Sequence, residues 1–320
     1  MNVVVTGANG FVGSALARTL ATRPNADVVA VSRTQLSGLG EHIRWQSLDS
    51  VLDGRDGKLI AEPGGVIVHT AGRAHVTREK SRNSLQEFRR VNVEMSMQLA
   101  RRAAEAGVRR FIYLSSIKVN GENANSARPF TADDTPAPQD AYGESKMEAE
   151  QALREFAARA GMELVIIRPP LVYGPGVKAN FRTLLQMVNW GIPLPLGAVE
   201  NRRSFIGLDN LVDLIAACIV HPAAANQTYL ASDSEDLSTP ELLRRIGVAL
   251  GRPARIRRVP RSVLELGARL TGTGNILKRL CESLCVDASK VRQQLGWTPP
   301  FSVDAGLLKT SQGFLRETRC

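Results

Sequence analysis

The stretch Asn2-Val3-Val4-Val5-Thr6-Gly7-Ala8-Asn9-Gly10-Phe11-Val12-Gly13 opens the chain as a strand, a glycine-rich turn and the start of a helix. Its valines form an apolar, β-branched run of the kind that lies buried on both faces of a parallel sheet. Glycine at 7, 10 and 13 permits a tight turn, close approach of backbone amides to a pyrophosphate, and close packing of helix on sheet. The helix start turns free N–H groups and a positive dipole end toward those phosphates. Gly7, Asn9, Gly10, Phe11, Val12 and Gly13 are therefore expected to cradle a dinucleotide.

Further apolar runs follow at 28–31, 43–45, 66–68, 111–114 and 164–167, with helical stretches between them. Strands alternating with helices imply parallel βαβ units, so the expected fold is α/β, a doubly wound sheet of Rossmann type. The rhythm changes near Pro169-Pro170. Beyond it come turn-rich segments such as Tyr173-Gly-Pro-Gly and Gly191-Ile-Pro-Leu-Pro-Leu-Gly, mixed with helices. The expected organisation is a dinucleotide-binding domain over 1–172, to which 204–232 returns, and a smaller α/β substrate domain over most of 173–320.

The 320 residues can bury a sizeable core, and 43% hydrophobic with 22% charged residues describes an ordinary globular chain. No stretch reaches the ~18 apolar residues of a membrane span; the nearest, 211–220, is short and holds Asp213. With a strand beginning at residue 3, a signal peptide is not expected and the cytoplasm is the expected location. Cys218, Cys281, Cys285 and Cys320 lack zinc-type spacing and are too few for a disulfide framework, so they read as idle thiols and no metal is expected. The formal charge of +10 comes from 33 arginines and 8 lysines, with a cluster at Arg252, Arg255, Arg257, Arg258 and Arg261. Such an excess suits acidic small molecules, anionic membrane surfaces or nucleic acid. Aromatic residues are only 5% and no nucleic-acid motif accompanies the charge, so a solvated basic face is the simpler reading and no nucleic-acid partner is expected.

Phe111-Ile-Tyr-Leu-Ser-Ser delivers Ser115 and Ser116 to the carboxyl end of the sheet, where open α/β sheets bind ligands. Ala-Tyr142-Gly-Glu-Ser-Lys146-Met lies 26 residues beyond Ser116, with Asp140 placed to cap its helix. Positions i and i+4 share one helix face, so an ammonium at 146 would favour phenolate at 142 and lower its pKa toward the useful acid/base range. The spacing alone is a weak signal. Its convergence with the glycine turn and the serine pair on one crevice is a stronger one.

Taken together, these segments resemble an extended short-chain dehydrogenase/reductase of the nucleotide-sugar epimerase/dehydratase branch, from about residue 3 to residue 300. The likeness is carried by the glycine turn, His69-Thr70-Ala71-Gly72, Val91-Asn92-Val93, Ser115-Ser116-Ile-Lys-Val-Asn-Gly, Tyr142 to Lys146, Arg168-Pro169-Pro-Leu-Val-Tyr-Gly-Pro, Arg203-Ser-Phe-Ile and the Leu-Gly-Trp within 287–299. By that resemblance Ser116 bonds the sugar oxygen at the reacting carbon, Tyr142 exchanges a proton with it, and Lys146 holds the nicotinamide ribose. The resemblance implies cofactor contacts from Thr70, Ala71, Gly72, Asn92, Leu114, Ser115 and Pro169, with Ser115 beneath the nicotinamide. It also implies substrate contacts from Lys118, Lys178, Asn180, Arg203 and Arg279 beside Ser116 and Tyr142. A homodimer joined by two helices per subunit is a further implication.

Departures from the family pattern narrow the reaction. The 4,6-dehydratases carry an Asp-Glu pair directly after the catalytic hydroxyl, where this chain has Ile117 and Lys118, so dehydration is not expected. Reductases that also epimerise beside the ketone use a nearby cysteine, and none precedes Cys218. Leu171 stands where many sugar epimerases have asparagine, and an Arg-x-Gly-Asp before the C-terminal signature is missing. The second strand ends Val31-Ser32-Arg33 rather than in the carboxylate that accepts the ribose hydroxyls of NAD. Ser32 and Arg33 suit the 2′-phosphate of NADP, so NADP(H) is favoured, with NAD(H) as the alternative. The expected reaction is NADPH-dependent reduction of the C4 ketone of a UDP-linked 4-keto-6-deoxy-N-acetylhexosamine in O-antigen synthesis. The alternatives are a UDP-hexose or UDP-N-acetylhexosamine 4-epimerase with bound NAD, in weak contact with a membrane surface, and a non-catalytic NADP(H)-sensing scaffold.

Overall fold

Nine strands carry the architecture of the described residues: β1 (Asn2–Thr6), β2 (Asp27–Ser32), β3 (Ile43–Ser47), β4 (Val66–His69), β5 (Arg110–Leu114), β6 (Glu163–Arg168), β7 (Leu171–Tyr173), β8 (Phe205–Gly207) and β9 (Thr228–Leu230). The computed structural model describes residues 2–36, 40, 42–53, 61–73 and 84–318; Cys320 lies outside them. Seven strands form one sheet in the order β3-β2-β1-β4-β5-β6-β9, and every pairing in it is parallel. The direction of winding reverses between β1 and β4, which opens a ligand crevice at the carboxyl ends of those strands. All six strands expected from the sequence are present. β9 was not foreseen, because three residues are too few to show a period. β7 and β8 pair separately, also in parallel.

The helices are α1 (Phe11–Ala21), α2 (Leu48–Asp53), α3 (Ser84–Arg89), α4 (Met95–Glu105), α5 (Ala141–Ala160), α6 (Ala179–Asn189), α7 (Leu208–Val220), α8 (Thr239–Ala249), α9 (Arg261–Thr271), α10 (Gly274–Cys281), α11 (Ser289–Leu295) and α12 (Val303–Glu317). Successive side chains of a strand point to opposite faces. Val3 and Val5 accordingly pack with Leu16 of α1 and Leu211 of α7, while Val4 packs on the other face with Leu99 of α4 and Leu153 of α5. A third apolar cluster joins Phe181 and Leu185 of α6, Leu243 and Ile246 of α8, and Leu307 and Phe314 of α12.

Two buried polar groups tie these layers together. Arg110 is wholly buried, and its Nη1 donates to the carbonyls of Cys218 (2.6 Å), Ile219 (3.2 Å) and His221 (2.9 Å) around the end of α7. Those are groups that a helix terminus leaves without partners of its own. The Asp233 carboxylate accepts from the Tyr173 hydroxyl (2.6 Å), the Gly207 amide (3.0 Å) and Asn210 Nδ2 (2.7 Å), joining β7, β8 and α7.

Candidate active site

The glycine turn meets the steric demands read from its sequence. Gly7 has φ of +72°, and a Cβ there would lie 2.6 Å from the Ala71 amide nitrogen, so only glycine fits against the Thr70–Gly72 segment. A Cβ on Gly13 would collide with the Gly7 carbonyl and the Thr70 hydroxyl, which itself donates to the Thr6 carbonyl at 2.6 Å. Gly10 stands at the N-cap of α1 with no side chain capping it, leaving the amides of Phe11, Val12 and Gly13 for an acceptor. Asn9 and Gly10 are exposed at the rim, and Phe11 and Val12 pack partly on the first core. This cradle fits a dinucleotide pyrophosphate.

At the end of β2, Ser32 is buried and its hydroxyl is committed, donating to the Thr34 carbonyl (2.7 Å) and accepting from Trp45 Nε1 (3.0 Å). Arg33 is exposed and bonds none of the described residues. The Ser32 hydroxyl, expected from the sequence to suit a 2′-phosphate, is thus already engaged within the protein.

Asn92 reaches the crevice because α3 continues into α4 through a π-helical turn, Arg90–Glu94, whose extra residue shifts the face that points inward. Asn92 is buried; its Oδ1 accepts from the Arg73 amide (3.0 Å) and its Nδ2 donates to the Ser145 hydroxyl (3.0 Å). Ser145 donates in turn to the Tyr142 carbonyl at 2.8 Å, which ties α5 to the π turn. Gly72 lies beside Asn92 and Lys146: a Cβ added to it would sit 3.3 Å from Asn92 Oδ1 and 3.6 Å from Lys146 Nζ.

Tyr142, Ser116 and Lys146 converge at the start of α5. Asp140 caps the helix as expected, accepting from the Gly143 amide at 2.7 Å. The Tyr142 phenol bonds the Ser116 side chain, and its ring lies 5.8 Å from that of Phe88. Lys146 is buried and directs its Nζ to the Tyr113 hydroxyl (3.0 Å) and the Leu114 carbonyl (2.8 Å). Burial pushes the Tyr142 phenol up to about 12, against the pull of Ser116, with the Asp140 charge adding to the rise. Burial likewise pulls the Lys146 ammonium down to about 7, with Glu150 opposing.

The expected lowering of the tyrosine by Lys146 is thus corrected. In the free protein desolvation dominates both groups, and Tyr142 is a neutral phenol.

The loops beneath the site are fixed by charge. Ser115 donates to Glu150 (2.5 Å), whose carboxylate is gripped by Arg168 through Nε (2.9 Å) and Nη2 (2.5 Å), and Arg168 also reaches Asn120 (2.9 Å). The Pro169 carbonyl accepts from the Ile117 amide at 3.0 Å, joining the loop after β6 to the serine loop. Lys118 pairs with Asp140 and with Glu122, so its ammonium is engaged within the loop.

The remaining substrate candidates sit apart from this centre. Arg203 is half-buried and its Nη1 donates to the carbonyls of Arg279 and Glu282, both at 2.9 Å, leaving Nε and Nη2 without a bond among the described residues. Segment 283–287 links it to the serine loop, since the Ala124 amide donates to the Ser283 carbonyl (3.1 Å) and Ser204 to that of Leu284 (2.8 Å). Lys178 and Asn180 are exposed at the N-terminus of α6, and Arg279 is exposed on α10; none bonds Ser116, Tyr142 or Lys146.

Sequence reasoning missed Tyr113, Glu150 and the role of His69. Burial holds His69 neutral, at about 3, and Lys146 adds to the fall. The Ser96 hydroxyl donates to the Asn92 carbonyl (2.7 Å) and so accepts from His69 Nε2–H (2.9 Å), leaving Nδ1 to accept from Thr6 (2.6 Å). The available signal was a polar ring at an inward position of a buried strand, because such a group must find a partner.

Residues 3–231 match the NAD dependent epimerase/dehydratase family. The chain belongs to that family. A protein of Vibrio cholerae named UDP-glucose 4-epimerase is 42% identical over 98% of this chain and 96% of its own length. The solved structure of MoeE5 in complex with UDP-glucuronic acid and NAD is 25% identical, with a TM-score of 0.76 over 99% of this chain and 100% of its own. RMD from Pseudomonas aeruginosa, complexed with NADPH, shares the fold at a TM-score of 0.75 and 18% identity over 98% of this chain and 99% of its own. The activity that these likenesses support is of the nucleotide-sugar epimerase/dehydratase type, and the structural neighbours include one complex with NAD and one with NADPH.

Proposed function

We propose that the protein uses NADPH to reduce the C4 ketone of a UDP-linked 4-keto-6-deoxy-N-acetylhexosamine, a step of bacterial O-antigen assembly. The observation that carries this reading is the end of β2. Exposed Arg33 follows Ser32, and no carboxylate occurs between Asp27 and Glu41 to accept the ribose hydroxyls of NAD.

A nicotinamide cofactor held by the glycine turn and Lys146 would supply the hydride. Ser116 holds the sugar oxygen, and Tyr142, kept protonated by its burial, gives that oxygen a proton as negative charge develops on it. Lys146, positioned by Tyr113 and Leu114, would hold the nicotinamide ribose. Arg203 turns its unused guanidinium nitrogens to the diphosphate. Ile117 is buried and Lys118 is ion-paired, so neither supplies the additional acid and base that dehydration requires.

A second reading, a C4 epimerase that retains NAD, is favoured by the 42% identity to the Vibrio cholerae protein of that name. One assay separates them. Under the first reading, NADPH and the UDP-4-keto sugar lose nicotinamide absorbance together, and Arg33→Asp lowers the preference for NADPH over NADH by roughly tenfold. Steady absorbance, with C4 epimers interconverting on the protein as purified, would establish the second.

A further inference from the structure

α9 carries two apolar faces. Leu264 packs on the third apolar cluster and Ala268 is buried, whereas Val263, Leu266 and Leu270 are 55%, 60% and 81% exposed. Their spacing, i, i+3 and i+7, places those three on one side of the helix. α10 adds Ile276, 60% exposed. A surface helix normally keeps its outer side polar, so this is an apolar stripe without a partner among the described residues.

The surrounding charge identifies the partner. Between residues 252 and 281 the sequence holds eight arginines and lysines and one carboxylate, Glu265, which concentrates here most of a net charge of +10. Glu265 is already paired with Arg261 at 2.8 Å, while Arg255, Arg257, Arg258, Arg269 and Arg279 stand exposed. Trp190, 67% exposed, follows Asn189, whose carbonyl accepts from Arg252 at 2.9 Å, so an indole borders the same arginine run. Apolar side chains flanked by arginines and an indole match a helix that lies in the head-group region of an anionic bilayer. No described helix is long and apolar enough to cross one.

The face is joined to the candidate site. Arg203 holds the carbonyls of Arg279 and Glu282, and Asn201 Nδ2 holds those of Leu280 and Glu282 at 3.1 Å each, fixing the end of α10 to the segment that bears Arg203. We propose that α9 and α10 form a docking face for an anionic lipid surface, which seats the protein with Arg203 close to that surface. The proposal does not depend on the direction of hydride transfer.

Co-sedimentation tests it with the whole chain. Vesicles of phosphatidylcholine and phosphatidylglycerol at roughly 7:3 should carry the protein down, vesicles of phosphatidylcholine alone should not, and about 0.5 M salt should release it. Leu266→Asp combined with Leu270→Asp should weaken binding at least roughly tenfold, as should Arg257→Glu with Arg258→Glu, without a change in melting temperature. The proposal is overturned by failure to bind the anionic vesicles, by equal binding to the neutral ones, or by leucine variants that bind normally. It is overturned equally if sedimentation velocity shows those variants splitting a dimer, since the face would then belong to a second copy of the chain.

Discussion

Tyr142 is a neutral phenol in the free protein because burial holds its pKa at about 12 against the hydrogen bond from Ser116. A neutral tyrosine is the protonation state a ketone reduction needs. Tyr142→Phe should lower kcat by about 10²–10⁴ while leaving KM within a few fold, since the ring and its packing on Phe88 persist; a fall in kcat under tenfold would remove Tyr142 as the proton donor. Lys146 has a second, thermodynamic consequence. Its folded-state pKa of about 7 lies below the ordinary 10.5, so above pH 7 the unfolded chain binds more protons than the folded one and stability rises with pH. Cys218 and Cys285, raised from 9.0 to about 12, act in the opposite sense above pH 9, which leaves pH 7 to 9 as the clean window. Denaturant melts of the free protein should show stability rising across that window, and Lys146→Met should flatten the rise. At this scale the sequence named Ser116, Tyr142 and Lys146 but not their charge states. A spacing of four places two side chains on one face; how dry that face is depends on α3, β5 and the loops that cover it.

At the scale of elements, the first strand, turn and helix were legible because each position excludes the alternatives. Gly7→Ala puts a Cβ 2.6 Å from the Ala71 nitrogen at a φ of +72°, so it should cost roughly 1–3 kcal/mol and weaken dinucleotide binding. Thermal melting and cofactor titration check this; a variant with unchanged stability and affinity would mean that the turn does not press on the Thr70–Gly72 segment. The alternation of Val3, Val4 and Val5 between two helical layers likewise follows from strand geometry. Other elements left little trace. β9 is three residues long, and the π turn that swings Asn92 inward is one extra residue in an otherwise helical pattern. At the end of β2 the exposure of Arg33 is in keeping with its charge, but nothing in the sequence shows that the Ser32 hydroxyl is taken by Thr34 and Trp45.

Across the whole molecule, the crevice between β1 and β4 gathers groups from distant parts of the chain. The sheet brings the glycine turn beside the Thr70–Gly72 segment, and the buried Glu150–Arg168 pair clamps the serine loop between α5 and the end of β6. A buried pair of this kind holds its geometry because either partner alone would be an uncompensated charge. Beyond β7, segment 283–287 connects that loop to Arg203, and through Arg203 to the basic, outward-facing α10. The arginine cluster was plain in the sequence, but the apolar stripe that α9 and α10 expose beside it emerged only with the fold. The central claim is that this site passes a hydride from NADPH to a sugar carbonyl at C4. Its most direct test is to supply NADPH deuterated at the transferring position of nicotinamide C4 together with the UDP-4-keto sugar, and to locate the label by mass spectrometry and NMR. Deuterium bound to sugar C4 in the reduced product is the predicted result; a sugar without deuterium, with the labelled NADPH unchanged, would contradict it.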